Sequence, residues 1–275
     1  MDYLDAVVLG IVEGLTEFLP VSSTGHLTIA EKLLGLDVDD PAVTAYTAVI
    51  QVGAIAAVLI YFARDIARIA KAWGRGLVKR EHRGDYDHRM GWFIIIGSVP
   101  IGIVGFAAQG LITGPLRSLW VVAAALILWS AVLLLAERRG TQRRGEKDLT
   151  MRDALVVGVL QCVALVPGVS RSGATISAGL LQDVDRVTAT RLSFFLAIPA
   201  LTGAAAYELK DIDTAVVGWG QLAVGTLVSF LVAYASIAWL LRFVARHPIT
   251  VFVGYRVVAG LLLAGLLATG VLSAT

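Results

Sequence analysis

The sequence predicts an all-α membrane protein built as an inverted-topology repeat, with six transmembrane helices and two re-entrant helix-loop-helix pairs that meet near the midplane. Three observations carry this expectation. The 275 residues are 57% hydrophobic and 16% charged, with a mean hydropathy of +0.78, against roughly 45–50% apolar and about 25% charged in an ordinary globular domain. One pattern occurs twice: Gly10 to Gly25 reads Gly-Ile-Val-Glu-Gly-Leu-Thr-Glu-Phe-Leu-Pro-Val-Ser-Ser-Thr-Gly, and 148 positions on, Gly158 to Gly173 reads Gly-Val-Leu-Gln-Cys-Val-Ala-Leu-Val-Pro-Gly-Val-Ser-Arg-Ser-Gly. The connecting segments also alternate between basic and acidic, which orients the spans.

The start, Met1-Asp2-Tyr3-Leu4-Asp5, is acidic and lacks a basic n-region, so no cleavable signal peptide is expected. Residues 3 to 34 are too long for one ordinary helix and are broken at Pro20 to Gly25. Each half is about fifteen residues, near 22 Å long, too short for a hydrocarbon core of about 30 Å. A re-entrant pair follows, since irregular backbone at membrane depth is tolerated only when buried in protein or lining a cavity. Residues 35 to 44 carry Asp37, Asp39, Asp40 and Pro41 without Lys or Arg and read as an outer loop.

Spans are expected at about 45–62, 91–112 and 119–136. Between the first two, Arg64 to Arg89 holds eight basic residues against four acidic ones, which makes it cytoplasmic. Its first part sets Ile66, Ile69, Ala70, Trp73 and Leu77 on one face, an interfacial helix anchored to anionic membrane lipids. Gly114-Pro115 turns outside, and Arg138, Arg139, Arg143, Arg144 and Lys147 return the chain to the cytoplasm. The second broken pair occupies 151–165 and 174–184, with spans at about 190–209, 217–241 and 250–272. Lys210-Asp211-Ile212-Asp213 suits the outside, and Arg242, Arg246 and His247 the inside. Three crossings separate the repeats, so the second enters from the opposite face. The organisation is a first repeat over 1–137, a basic cytoplasmic linker over 138–150 and an inverted repeat over 151–275, together one membrane domain.

The candidate chemistry lies in the two breaks. Glu13 and Glu17 are four apart, on one helix face, and each charge costs about 2.5–3.5 kcal/mol at membrane depth unless hydrated, paired or protonated. They either cap helix ends near the outer surface or hold a divalent cation, Mg²⁺ or Ca²⁺, through oxygen ligands. After Pro20, the hydroxyls of Ser22, Ser23 and Thr24 precede a helix start, a place suited to anions. Arg171, flanked by Ser170 and Ser172, offers a planar fork to a phosphate or carboxylate, or else bridges to Glu13 or Glu17. His26 can pass a proton or serve as a core residue. His82, His88 and His247 lie in basic loops and read as solvated. Arg256, within the last span, either reaches the cavity or snorkels to the interface. Gln51 and the span glycines Gly97, Gly102 and Gly105 read as helix-packing positions. Lone Cys162 excludes an intrachain disulfide and reads as a packing residue. The net charge of +2 says little about nucleic acid, because the basic residues collect in loops between spans, and no nucleic-acid partner is expected. Oligomeric state is left open, a homodimer included.

Glu13-Gly-Leu-Thr-Glu17 running into Pro20-Val-Ser-Ser-Thr-Gly-His26, with Pro167-Gly-Val-Ser-Arg-Ser-Gly-Ala-Thr175 in the second half, closely resembles the bacterial undecaprenyl-diphosphate phosphatase family associated with bacitracin resistance. The resemblance covers nearly the whole chain. It implies hydrolysis of undecaprenyl diphosphate, a lipid diphosphate, to the monophosphate carrier of cell-wall synthesis, by an enzyme of the bacterial inner membrane with its site open to the outer side and a divalent-cation requirement. It implies functional roles for Glu13, Glu17, Ser23, His26, Ser170, Arg171 and Thr175. Read from residue chemistry, Ser23 is the candidate nucleophile with His26 as its proton partner, Arg171 is the phosphate clamp, and Ser22, Thr24, Ser170 and Ser172 line the substrate; the resemblance adds Thr175 to the substrate-binding set. Direct attack by water oriented by Glu17 or His26 is the alternative mechanism. A polyprenyl-phosphate or ion-coupled transporter is the alternative function, because broken helices at the midplane also build transporters.

Overall fold

The structure, a computed structural model, describes residues 1–38, 40–112, 114–208 and 218–274. Among the described residues it is helical throughout, without a β-strand; the one extended contact is an isolated bridge between Arg144 and Val184. Two short helices, α1 (Tyr3–Thr16) and α2 (Ser23–Leu33), are followed by α3 (Pro41–Tyr61), α4 (Ala63–Val78), α5 (Tyr86–Ala107), the single turn α6 (Gln109–Ile112) and α7 (Leu119–Arg139). The second half repeats the order with α8 (Met151–Gln161), α9 (Arg171–Leu181), α10 (Arg186–Glu208), α11 (Trp219–Val244) and α12 (Thr250–Ala268). Six helices, α3, α5, α7, α10, α11 and α12, are long and apolar enough to cross a membrane, as expected of a multi-pass membrane protein. Asp39 and the whole of Lys210-Asp211-Ile212-Asp213, assigned to outer loops above, lie outside the described residues.

The two short pairs are built alike. Asp2 and Asp5 form a capping box at the start of α1, each side chain accepting from the other's backbone N–H at 2.9 and 2.8 Å. Thr150 and Asp153, the same positions 148 residues on, form the capping box of α8. Gly10 of α1 lies where an added Cβ would stand 2.6 Å from the carbonyl oxygen of Gly225 on α11, and its counterpart Gly158 of α8 where a Cβ would stand 2.2 Å from that of Gly97 on α5. Each short helix therefore touches a long partner backbone to backbone, a contact open only to small residues. The pairings correspond: α1 packs on α11 and α8 on α5, while α3 pairs with α10 and α7 with α12. Phe18, beyond α1, meets Phe194 edge-on at 5.3 Å, tying the first break into the core on α10.

Helix α4 is amphipathic as expected. In α4, Ile69 is buried and Ile66 and Trp73 are half-buried against α5 and the core, although Leu77 is exposed. Three expectations need correction. His88 is buried, not solvated: its Nδ1 lies 3.2 Å from the Trp73 carbonyl and the ring fills space above Gly76. Because His88 and Met90 are covered by α4, their polar surroundings do not end the helix, and α5 begins at Tyr86 rather than at 91. Gly102 faces open space and is no packing position, whereas Gly97 is one. The basic linker is anchored by Arg144, whose fork donates to both Asp153 oxygens at 2.9 and 2.5 Å, fixing α8 from below.

Candidate active site

The two breaks face each other in the middle of the fold. Each enters its second helix through a serine in the left-handed region, Ser22 at φ 78° and Ser170 at φ 77°, equivalent positions of the repeat. A non-glycine residue there carries strain of order 1–3 kcal/mol, stored mostly at functional sites. The contacts between the breaks repay it. The Gly168 N–H donates to Ser22 Oγ at 3.1 Å, and Ser172 Oγ donates to the Leu19 carbonyl at 2.9 Å. Ser170 Oγ caps its own helix by accepting from the Gly173 N–H at 3.1 Å, and stands 3.0 Å from Ser172 Oγ. Ser22 precedes α2 as expected but makes no cap bond, because its oxygen is committed to the opposite loop. Gly168 is required twice over, by φ 97° and by the Val122 carbonyl 2.5 Å from where a Cβ would stand.

Glu17 is the hub. It ends α1 with its side chain 4% exposed. Oε2 accepts from Ser23 Oγ at 2.6 Å and Oε1 from Arg171 Nη2 at 3.3 Å. Arg171, at the first position of α9, is 9% exposed; its Nη1 donates to the Ser193 carbonyl at 3.0 Å, and the guanidinium lies 5.9 Å from the Phe18 ring centre. Its Nε is buried with no hydrogen-bond partner among the described residues, a donor that calls for an explanation. A hydroxyl, a carboxylate that can take its proton and a guanidinium thus lie in one line of contacts.

His26 does not pair with Ser23, contrary to expectation. Its Nδ1 lies 2.7 Å from the Ser22 carbonyl and its Nε2 2.6 Å from the Tyr255 hydroxyl, with the two rings stacked at 5.6 Å. A carbonyl only accepts, so Nδ1 carries the hydrogen, and in the neutral ring the Tyr255 O–H donates to Nε2. The physical reason is helical: His26 sits on the first turn of α2, where its ring folds back onto the i−4 carbonyl while Ser23 turns toward α1. Thr175 Oγ1 donates to Ser193 Oγ at 2.7 Å and is buried, supporting the residue whose carbonyl holds Arg171. Thr24 is exposed at the edge.

Glu13 is 1% exposed, one turn before Glu17. Among the described residues no group of three His, Cys, Asp or Glu side chains could enclose a metal ion. Both Glu17 oxygens already have partners. Two carboxylates with hydroxyls nearby fit a hard divalent cation whose remaining shell comes from phosphate and water oxygens, the usual manner of Mg²⁺, and do not form a closed protein cage.

Sequence reasoning missed Tyr255 and Ser193 and left Arg256 undecided. Arg256 is fully buried and reaches both breaks. Its signal was a charge in the middle of an apolar span; a tyrosine or serine in a span carries none.

With this geometry in hand, comparison with known proteins is informative. A family model described as bacitracin resistance protein BacA matches residues 6–262. The chain is 62% identical over 269 residues to undecaprenyl-diphosphatase 1 of Streptomyces avermitilis, covering 98% of this chain and 97% of that one. It is 58% identical over 278 residues to undecaprenyl-diphosphatase 3 of Frankia casuarinae, covering both chains completely. An undecaprenyl-diphosphatase of a Mycobacterium species is 51% identical over 280 residues, again with complete coverage.

Proposed function

Because the chain belongs to the bacitracin resistance protein BacA family, we propose that it hydrolyses undecaprenyl diphosphate to undecaprenyl phosphate and inorganic phosphate, recycling the lipid carrier of cell-wall synthesis and conferring bacitracin resistance. The observation that carries the mechanism is the contact series Ser23, Glu17, Arg171. Ser23 Oγ attacks the terminal phosphorus as its proton passes to Glu17 Oε2. The bond from that phosphorus to the bridging oxygen breaks, and undecaprenyl phosphate leaves with the electron pair. Water then cleaves the phosphoserine and releases phosphate. Arg171 holds the equatorial oxygens, offering its vacant Nε–H beside the groups already engaged, and the helix starts of α2 and α9 face the same anion. A divalent cation held by Glu13 and Glu17 would supply further charge neutralisation on the diphosphate. Both ring nitrogens of His26 are already engaged, by the Ser22 carbonyl and the Tyr255 hydroxyl, so any proton path from it to the water of the second step runs through Tyr255.

The correspondence of capping boxes, glycine contacts, left-handed serines and helix pairings supports an inverted repeat with re-entrant pairs. Loop charge supports a site that opens to the outer side of the inner membrane. Cysteines placed at Arg80 and Arg143 should accordingly react with an impermeant thiol reagent only after permeabilisation; outside labelling at Arg80 would overturn the orientation. The activity itself is tested by phosphate release from undecaprenyl diphosphate by purified protein in detergent. No gradient exists there, so a pure transporter would release nothing, and that result would replace this reading.

A further inference from the structure

Arg256 is the largest of the fully buried side chains, at 0% exposure, and the family reading assigns it no part. Its Nη1 donates to the Pro20 carbonyl at 3.0 Å and its Nη2 to the Gly168 carbonyl at 2.9 Å; weaker contacts run from Nη2 to the Ala125 carbonyl at 3.4 Å and from Nε to Ser130 Oγ at 3.3 Å. Pro20 and Gly168 are equivalent positions, 148 residues apart. One guanidinium therefore holds the same carbonyl of both breaks, and it sits where the two halves of the repeat are related. Each of these carbonyls lies three residues before a site residue, Ser23 in the first break and Arg171 in the second.

Arginine at membrane depth ordinarily pairs with a carboxylate or with backbone carbonyls. Among the described residues no carboxylate lies within ion-pair distance of Arg256; its partners are four neutral oxygens. Glu13 and Glu17 are buried in the same fold, yet among the described residues neither carboxylate lies within ion-pair distance of Arg256. Instead its planar fork spans two loops, and its charge is left for something else to balance. The two carbonyls it covers would otherwise turn lone pairs toward a polyanion.

We infer that Arg256 is the positioning residue of the site: it fixes the register of Ser23 against Arg171 by gripping the equivalent carbonyls of Pro20 and Gly168, and its uncancelled charge favours a diphosphate between the breaks. This rests on the hydrolase reading above. Lysine keeps the charge but, as a point donor on a flexible stem, does not span both carbonyls as a planar fork does. Glutamine removes the charge as well.

The test measures kcat and KM for undecaprenyl diphosphate per folded molecule, with thermal midpoints in detergent, for wild type, Arg256→Lys and Arg256→Gln. Arg256→Lys should lose at least tenfold in kcat with KM within threefold of wild type, and Arg256→Gln should in addition raise KM at least threefold. Arg256→Lys with more than half of wild-type kcat overturns the inference. So does a loss that only tracks the folded fraction, the mark of a merely structural residue. If neither variant is recovered folded, Ser130→Ala decides, since it removes the acceptor of Nε and otherwise only that hydroxyl's own bond to the Leu126 carbonyl one turn back: a fall in kcat of twofold or more at unchanged KM supports the role, and unchanged kcat overturns it. Wild-type protein that releases no phosphate removes the hydrolase reading and the inference with it. Active wild type beside an active Arg256→Lys removes the inference alone.

Discussion

Ser23→Ala should lose at least about a thousandfold in phosphate release, the scale on which a missing nucleophile acts in other hydrolases, while binding of a non-hydrolysable lipid diphosphate weakens by no more than about threefold. Oγ is the one atom removed, and it lies 2.6 Å from the Glu17 carboxylate, a distance typical of a hydroxyl bonded to an ionised oxygen. The charge clamp is untouched: Arg171 keeps Glu17 and the Ser193 carbonyl, and the contacts between the breaks run through Ser22, Ser172 and Leu19 instead. Rapid quenching of wild type with phosphorus-labelled substrate should trap label on Ser23 and none on the variant. Near-normal turnover by Ser23→Ala would assign the attack to water.

Arg171→Lys should insert and fold normally yet fall roughly 10- to 150-fold in turnover, with Arg171→Ala lower still. The guanidinium engages Ser193 and Glu17 through different nitrogens and leaves Nε buried without a partner among the described residues. Lysine has three N–H donors, but they radiate from one nitrogen on a flexible stem and do not reach both partners and the phosphoryl group as a planar fork does. Hydrogen bonds to charged groups contribute roughly 1.5–3 kcal/mol each, and about 1.4 kcal/mol in a barrier is a decade in rate. Glu17 keeps a positive neighbour, so the protein should express like wild type. A lysine variant retaining more than half of wild-type phosphate release would reduce Arg171 to a structural counter-ion of Glu17.

What could be read from the chain follows from the range of the interactions involved. The spans were legible because length and hydropathy are local, and the two breaks because Ser22 and Ser170 share a motif at a fixed offset. The duplication also let Arg171 be placed against the first break, where it meets Glu17. The hydrogen-bond partner of Ser23 was not legible. Glu17 is six residues earlier across an irregular turn, and only the actual backbone decides that this carboxylate, and not the histidine three residues later, receives the hydroxyl. Arg256 was hidden for a different reason: its main partners are backbone carbonyls, a group every residue carries, so nothing at Pro20 or Gly168 marks them as acceptors. His88 misled because a basic loop suggests water, while α4 covers it.

The last described helix to be made carries both Tyr255 and Arg256, and this orders events in time. A ribosome adding roughly 5–20 residues per second needs about 12–47 s to pass the 233 residues from Ser23 to Arg256. During that interval the first break can insert, and later the second, without the fork that joins their carbonyls or the phenol that bonds His26. The contacts that Tyr255 and Arg256 make to the two breaks are therefore the last of these to form, once the final described span has been made.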